Sequence, residues 1–289
     1  MVDRYKVGII GAGPAGIACA IQLRRYGIDF LLFEKNEPGG LLKNAFLVEN
    51  YLGFPEGING RRFVELILHQ IKNQKINIIN EEVLSVSYKN NEFHIITNKD
   101  AHRVKILVVA SGTKPKILEI PGAPDCQSRI FYEISPLRKT KNKKIAIIGS
   151  GDAAFDYALS LSKNNKVLIM NRTRSVKSLP VLIQKALQNR NICYKTNIEV
   201  TGVELNNDDL TLYCSKDRVI TVDYLIVAIG RVPNLNFFEK SIKQKIKMLE
   251  KRRKLYIIGD AKNGIFRQTA IAVSDGIRTA MEIYLSNGF

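Results

Sequence analysis

The chain has 289 residues, 45% of them hydrophobic, and carries a formal net charge of +17 from 44 Lys and Arg against 27 Asp and Glu. That length holds two cores of ordinary size. No apolar run approaches the roughly 18–20 residues that cross a bilayer, and the first strand follows Met1 too closely for a secretory leader, so a soluble, cytoplasmic protein without membrane contact is expected.

In chain order, the apolar run Val7-Gly8-Ile9-Ile10 opens into Gly11-Ala12-Gly13-Pro14-Ala15-Gly16. A buried strand that turns through glycines into a helix lays a pyrophosphate on helix N-terminal amides. Gly39-Gly40-Leu41-Leu42 and the stretch 48–55 then form a loop whose length and composition suit contact with a ligand. Apolar spacing predicts a helix over 61–74 with Phe63, Leu66, Ile67 and Ile71 on one side. Strands are predicted over 83–88, 93–97 and 105–109, the last closing on Ala110-Ser111-Gly112-Thr113. Pro115, Pro121, Gly122 and Pro124 read as a linker.

A second fingerprint, Gly149-Ser150-Gly151-Asp152-Ala153-Ala154, follows Ile145-Ala146-Ile147-Ile148, 138 residues after the first. Helices are predicted over 153–162 and 182–188, and strands over 198–204, 211–214 and 224–229. Gly230-Arg231-Val232-Pro233-Asn234 reads as a second linker. The remainder, with Leu255-Tyr256-Ile257-Ile258-Gly259-Asp260 and a helix over about 268–285, is too short to fold alone and is expected to rejoin the first domain. The fold class is therefore α/β, with two Rossmann-like dinucleotide-binding domains of three ββα layers. Residues 1–115 and 239–289 would form the first, discontinuous domain, and 116–238 the second.

The ribose positions separate the two fingerprints. Twenty-three residues past Gly11 stands Glu34, whose carboxylate can accept hydrogen bonds from both hydroxyls of an unphosphorylated ribose. Twenty-three past Gly149 stands Arg172, with Arg174 and Lys177 close behind. Guanidinium groups bind a 2′-phosphate in bidentate fashion, so the second site reads as selective for NADP.

Cys19, Cys126, Cys193 and Cys214 form neither a CxxC nor a metal-ligand cluster. Reduced structural thiols, no disulfide framework and no metal are expected. Basic runs at 138–144 and 243–254 fit either attraction of an acidic partner or a compositional bias toward Lys, Asn and Ile. No aromatic-interleaved basic stripe accompanies them, so no nucleic-acid partner is expected.

With GAGPAG, Glu34, GG-LL, VENYLGFPEGINGRRF, LVVASGTKPK, IPG, GSGDAAFDYAL, LIVAIGRVPN, LYIIGD and FRQTAIAVSDG in this order, the chain resembles the low-molecular-weight thioredoxin reductase branch of two-dinucleotide flavoproteins over essentially its whole length. The resemblance implies FAD on the first domain and NADPH on the second. The FAD set it implies is Gly11, Gly13, Pro14, Ala15, Gly16, Glu34, Lys35, Gly40, Leu41, Leu42, Asn50, Val83, Ala110, Ser111, Gly112, Gly259, Asp260, Arg267, Gln268 and Thr269. Asn50 would lie near the flavin and Asp260 on the ribitol chain. The N-terminal amides of the last helix also suit the N1/C2=O edge of a flavin on physical grounds. The NADP set is Gly149, Ser150, Gly151, Asp152, Ala153, Asn171, Arg172, Arg174, Lys177 and Gly230.

The redox CxxC that this branch carries shortly before the second fingerprint is replaced by Tyr132-Glu133-Ile134-Ser135. No dithiol exchange can occur there, and Cys126 reads as a linker thiol. The pattern is similar to the thioredoxin-reductase-like ferredoxin–NADP reductases, homodimers that serve a small acidic carrier such as ferredoxin or flavodoxin, although the C-terminal extension usual in those enzymes is missing. Hydride would pass from NADPH to flavin with no protein acid or base as catalytic residue, and the linkers at 114–124 and 231–236 would act as hinges. Direct reduction of oxygen, a quinone or an external disulfide, and a non-catalytic FAD/NADP-binding role, stand as alternatives. Tyr51 and Tyr132 are read as packing residues ahead of a stacking role at the flavin.

Overall fold

The computed structural model describes residues 4–286, which form two compact units. One unit is built from the described residues up to Lys43, from Val48–Lys114 and from Val232 onward, and the other from Asn44–Leu47 and Pro115–Arg231. The chain starts with β1 (Arg4–Ile10), α1 (Pro14–Arg25), β2 (Phe30–Glu34), α2 (Gly60–Asn73), β3 (Ile79–Asn80), β4 (Val83–Lys89), β5 (Glu92–Thr97) and β6 (Ala101–Val109). β7 (Thr113–Pro115) leads into the second unit, which holds β8 (Ile130–Phe131), β9 (Lys144–Ile148), α3 (Asp152–Leu161), β10 (Lys166–Asn171), α4 (Pro180–Leu187) and β11 (Ile192–Thr196). There follow β12 (Val200–Asn206), β13 (Asp209–Cys214), β14 (Arg218–Val222), β15 (Tyr224–Val227) and β16 (Arg231–Pro233). The chain then re-enters the first unit as α5 (Lys240–Lys243), α6 (Ile246–Lys251), β17 (Leu255–Ile257) and α7 (Thr269–Ser286).

In the first unit, β3, β2, β1 and β6 lie side by side in parallel. The first half of β6 pairs antiparallel with β5, and β5 with β4, whereas Leu107–Val109 of β6 pair in parallel with β17. Val7, Ile9 and Ile10 are all buried because the sheet is covered on both faces. One cover is helical: Ala15, Cys19 and Leu23 of α1 and Ala272, Ala280 and Ile283 of α7 share a core with β1 and β6. The other is the β4–β5 hairpin with Phe238, Ile242 and Leu249. This is the three-layer ββα architecture.

The second unit repeats the scheme. Its parallel sheet runs β11-β10-β9-β15-β8, with a three-stranded antiparallel sheet β12-β13-β14. Leu210, Leu212 and Val222 of the small sheet pack on Ala146, Leu225 and Val227 of the large one, while Phe155, Ala158 and Leu161 of α3 share the other core with Ile145 and Ile147.

Several expectations change. The run 121–126 is packed structure: Val203 N–H donates to the Pro121 carbonyl at 3.0 Å, and a Cβ on Gly122 would lie only 1.8 Å from the Val203 oxygen. Cys126 is thus a core residue, not a linker thiol, and burial pushes its thiol pKa up. The second crossing lies at 231–232 rather than 238, because Phe238 is buried beside Val86, whose N–H donates to the Phe237 carbonyl at 2.8 Å. On α2 the buried residues are Gly60, Phe63, Val64 and Ile71, and Leu66 is exposed. The basic run at 243–254 decorates α5 and α6, whose Ile242 and Leu249 are fully buried. β8, β11 and β14 lie where no strand was expected.

Helices α1 and α7 meet at backbone contact. A Cβ on Gly276 would lie 2.2 Å from the Ala15 carbonyl oxygen and 2.9 Å from the Cys19 nitrogen. Gly276→Ala is therefore expected to destabilise the folded protein by about 3 kcal/mol, at the upper end of overpacking costs. Denaturant melts of the two proteins check this, and equal midpoints would contradict the contact.

Candidate cofactor sites

The first fingerprint sits at the carboxyl end of β1, between β2 and β6, the place where open α/β sheets bind ligands. Gly11 has φ +102°, and a Cβ there would lie 2.5 Å from the Ala110 carbonyl oxygen. At Gly16 a Cβ would come within 1.9 Å of the Gly11 oxygen. Gly13 differs: a Cβ would meet nothing nearer than the Gly40 Cα at 4.0 Å. Hydrogen is required at Gly11 and Gly16 by the protein itself, whereas the space beside Gly13 is left open. Pro14 opens α1 with no side-chain cap, so its first-turn amides are available to an anion.

Glu34 ends β2 and is held against this turn. Its Oε2 accepts the Ala12 N–H at 2.8 Å and its Oε1 the Asn36 N–H at 3.0 Å. Gly40, at φ +55°, faces Gly13, with Leu41 and the buried Leu42 following. Lys35 pairs with Glu82 at 3.3 Å, and Val83 heads β4 beyond it. Ala110, Ser111 and Gly112 leave the end of β6, where the Ser111 hydroxyl donates to the Asn234 carbonyl at 2.6 Å.

The returning segment closes on the same end. Gly259, at φ +62°, follows β17, and a Cβ there would lie 2.8 Å from that of Ala15. Its N–H donates to Asp275 Oδ2 at 3.0 Å, which orients the turn carrying Asp260. Asn50 Nδ2 donates to Gln268 Oε1 at 3.0 Å, joining two expected flavin neighbours 218 residues apart, with Arg267 and Thr269 on either side of Gln268. Beside them runs an open groove of about 630 Å³ lined by Tyr51, Leu52 and α7 residues including Val273, Ile277 and Met281. Tyr51 packs on Phe63 and Phe54, with ring centroids 4.8 and 6.2 Å away.

The second fingerprint repeats the steric logic between β9 and α3. Gly149 has φ +137°, and a Cβ there would lie 2.4 Å from the Ala228 oxygen, whereas one on Gly151 would meet nothing within 4 Å. Ala154 is buried at the third position, and α3 has no side-chain cap. Arg172, Arg174 and Lys177 are exposed on the loop after β10. Lys177 N–H donates to the Ser150 carbonyl at 3.0 Å. Asp152 Oδ1 accepts from Ser178 Oγ at 3.0 Å and Leu179 N–H at 2.8 Å, beside the exposed Ala153. Asn171 is buried, its amide donating to the Ser175 carbonyl and to Tyr194 Oη while its oxygen accepts the Thr173 N–H. Asn171 thus spends its polar groups on the loop. Gly230, at φ +115°, follows β15 and accepts the Lys116 N–H at 3.0 Å.

The stretch Tyr132-Glu133-Ile134-Ser135 is packed into the second unit. Tyr132 Oη accepts the Leu118 N–H at 3.1 Å, and Ile134 is fully buried. Glu133 accepts from Asn44 Nδ2 at 3.0 Å and pairs with Arg231 at 3.5 Å. Ser135 begins a single 3-10 turn.

Sequence reading missed Asp156. Its carboxylate accepts the Phe46 N–H at 2.9 and 3.2 Å, fastening the segment Asn44–Leu47 to α3. Burial pushes its pKa up to about 6, against the lowering effects of that N–H and of Arg138. The available signal was a carboxylate between Phe155 and Tyr157 on an otherwise apolar helix. Because the folded value is raised above the unfolded one, Asp156 favours folding most at low pH and that contribution is lost as pH rises through about 6. Urea melts of wild type and Asp156→Asn are expected to diverge, with wild type losing about 2 kcal/mol relative to the variant between about pH 4 and pH 7. A pH-independent difference would contradict the assignment.

A family model described as pyridine nucleotide-disulphide oxidoreductase matches residues 5–276. The chain is 30% identical over 241 residues to a ferredoxin–NADP reductase of Lactobacillus johnsonii, covering 79% of this chain and 75% of that one. It is 28% identical over 302 residues to a thioredoxin reductase of Borreliella burgdorferi, covering 95% and 90%. Among solved structures, T. acidophilum thioredoxin reductase superposes with a TM-score of 0.85 at 26% identity, covering 99% of each chain.

Proposed function

This chain belongs to the pyridine nucleotide-disulphide oxidoreductase family, and we propose that it is an FAD-dependent NADPH oxidoreductase delivering electrons to a small acidic carrier such as ferredoxin or flavodoxin. The observation that carries the reading is the opposite chemistry at the two ribose positions: a carboxylate, Glu34, fixed on the first glycine turn, and a basic loop with Arg172, Arg174 and Lys177 on the second.

Bound FAD would supply the redox chemistry, taking a hydride from NADPH and giving up electrons to the acceptor. The residues of the chain bind and orient. Gly13 and Gly151 leave the room a pyrophosphate needs over the uncapped ends of α1 and α3. Glu34 would receive the hydroxyls of an unphosphorylated ribose, and Asn50, Gln268 and the first turn of α7 would offer hydrogen-bond donors and a positive helix end to the flavin.

The acceptor follows from the thiols. Cys19, Cys126 and Cys214 are buried, and Cys193 is exposed with no second cysteine near it in sequence. No cysteine pair relays electrons to a disulfide substrate, whereas a net charge of +17 attracts an acidic carrier. Two relatives are called ferredoxin–NADP reductase. The four free thiols suit a reducing, cytoplasmic setting. No helix among the described residues is long and apolar enough to cross a membrane. The exposed apolar residues of α7, Ile277, Met281 and Leu285, support a homodimer.

A second reading, direct reduction of an external disulfide, rests on the relatives called thioredoxin reductase. Carrier reduction is expected to slow about tenfold between about 50 and 300 mM salt as steering is screened. A salt-insensitive rate with disulfides and none with ferredoxin or flavodoxin would favour the second reading. Failure of NADPH to bleach the flavin anaerobically would remove both.

Replacing Arg172 and Lys177 by Ala together is expected to raise KM for NADPH about tenfold or more, the worth of one lost charge-assisted hydrogen bond. KM for NADH should stay nearly constant. Equal effects on both nucleotides would remove the ribose-phosphate assignment.

A further inference from the structure

A loop that carries three long cations has two physical handicaps. Its side chains repel one another, and each backbone residue left mobile must be ordered at an entropic cost when a ligand arrives. The stretch after β10 escapes the second because it is tied down at three places. Asn171 holds it from beneath through the Ser175 carbonyl and the Thr173 N–H, at 2.8 and 3.2 Å. Gly151 and Lys177 form an isolated parallel bridge, with the Lys177 N–H on the Ser150 carbonyl. The far end is held by one carboxylate oxygen, Asp152 Oδ1, which takes both the Ser178 hydroxyl and the Leu179 N–H.

Asp152 is an odd residue to find there. It is the first residue of α3, in the turn whose amides face the pyrophosphate position, and a bare carboxylate would repel that anion. Its two donors draw it toward the basic loop. We propose that Asp152 is a positioning residue for nucleotide selectivity: it tethers Ser178 and Leu179 so that Arg172, Arg174 and Lys177 are pre-arranged for a 2′-phosphate, and it makes no contact with the nucleotide. The proposal rests on the NADPH reading of this loop. The energetic consequence is selective, because only a ligand that bears the 2′-phosphate uses the loop and so bears the cost of ordering it.

The test is calorimetric titration of the FAD-loaded enzyme with two fragments that lack the reacting nicotinamide, ADP-ribose 2′-phosphate and ADP-ribose. Asp152→Ala is expected to weaken binding of the 2′-phosphate fragment about fivefold or more, the worth of a lost hydrogen-bond tether, while ADP-ribose binding changes less than about twofold. Asp152→Asn keeps an acceptor oxygen and is expected to restore wild-type discrimination. Ser178→Ala, which removes one tie and touches no core, is expected to lower the discrimination by about twofold, and it reports even if the alanine variant at 152 does not fold. The proposal is overturned if Asp152→Ala weakens both fragments equally or neither, if Asp152→Asn is as impaired as Asp152→Ala, or if Ser178→Ala leaves the ratio unchanged. The Arg172→Ala, Lys177→Ala double variant, titrated alongside, separates the two levels. If it collapses the discrimination and Asp152→Ala does not, only the tether is wrong; if it leaves the discrimination intact, the NADPH reading falls and the tether with it.

Discussion

Backbone touches backbone where α1 crosses α7, and the first unit is arranged around that approach. The Ala15 carbonyl oxygen would stand 2.2 Å from a Cβ on Gly276, so two helix axes come together with no side chain between them. Ala15 is also a residue of the first glycine turn, and its methyl bounds the space at Gly259. One residue therefore registers three things at once: the turn that suits a pyrophosphate, helix α7, and the turn that carries Asp260. A shift of α7 would displace Gln268, which immediately precedes it, from its partner Asn50.

The two glycine turns separate scaffold from selectivity. In each, the first glycine is forced by a carbonyl oxygen of the neighbouring strand's end, Ala110 in one unit and Ala228 in the other, and the second stands free of protein contact. What differs lies one strand further on. Glu34 is rigid because two backbone amides hold it, whereas the basic loop after β10 is held through its backbone and leaves its cations exposed. A carboxylate serves a ribose by accepting hydrogen bonds from fixed atoms. A phosphate is served by several donors that close around it, which a fixed backbone with free cationic side chains would allow.

What was legible in the sequence had local signatures. The glycine spacings, the apolar runs before them and the ribose positions lie within about two dozen residues of each other, and the α/β class followed from them. What was not legible depended on distant partners. Pro121 and Gly122 have linker composition yet receive Val203 from the small sheet. β8 has two residues and exists because β15 is beside it. Phe237 and Phe238 look like part of the second domain until Val86, some 150 residues earlier, pairs with them. Asn171 and Asp152 belong to the expected NADP set, and their hydrogen bonds to the loop after β10 are invisible to spacing. The bonds of Asp156 and Glu133 have no sequence signature because their partners, Phe46 N–H and Asn44, belong to a four-residue segment, Asn44–Leu47, that nothing in its composition announces.

The discontinuity of the first unit bears on how the protein is made. Residues 115–231 are contiguous but for the short Asn44–Leu47 segment, which is synthesised before them. Every strand of the inner unit has therefore left the ribosome while α7 is still untranslated. The outer unit at that moment lacks β17 against β6 and has no α7 over Ala15, so α1 has its contact with the sheet but not with its helix partner. Domains that emerge first usually fold first. Here the order is inverted: the inserted unit can close its core early, and the N-terminal segment must wait, with part of one helix face and one sheet edge uncovered, until β17 and α7 are translated.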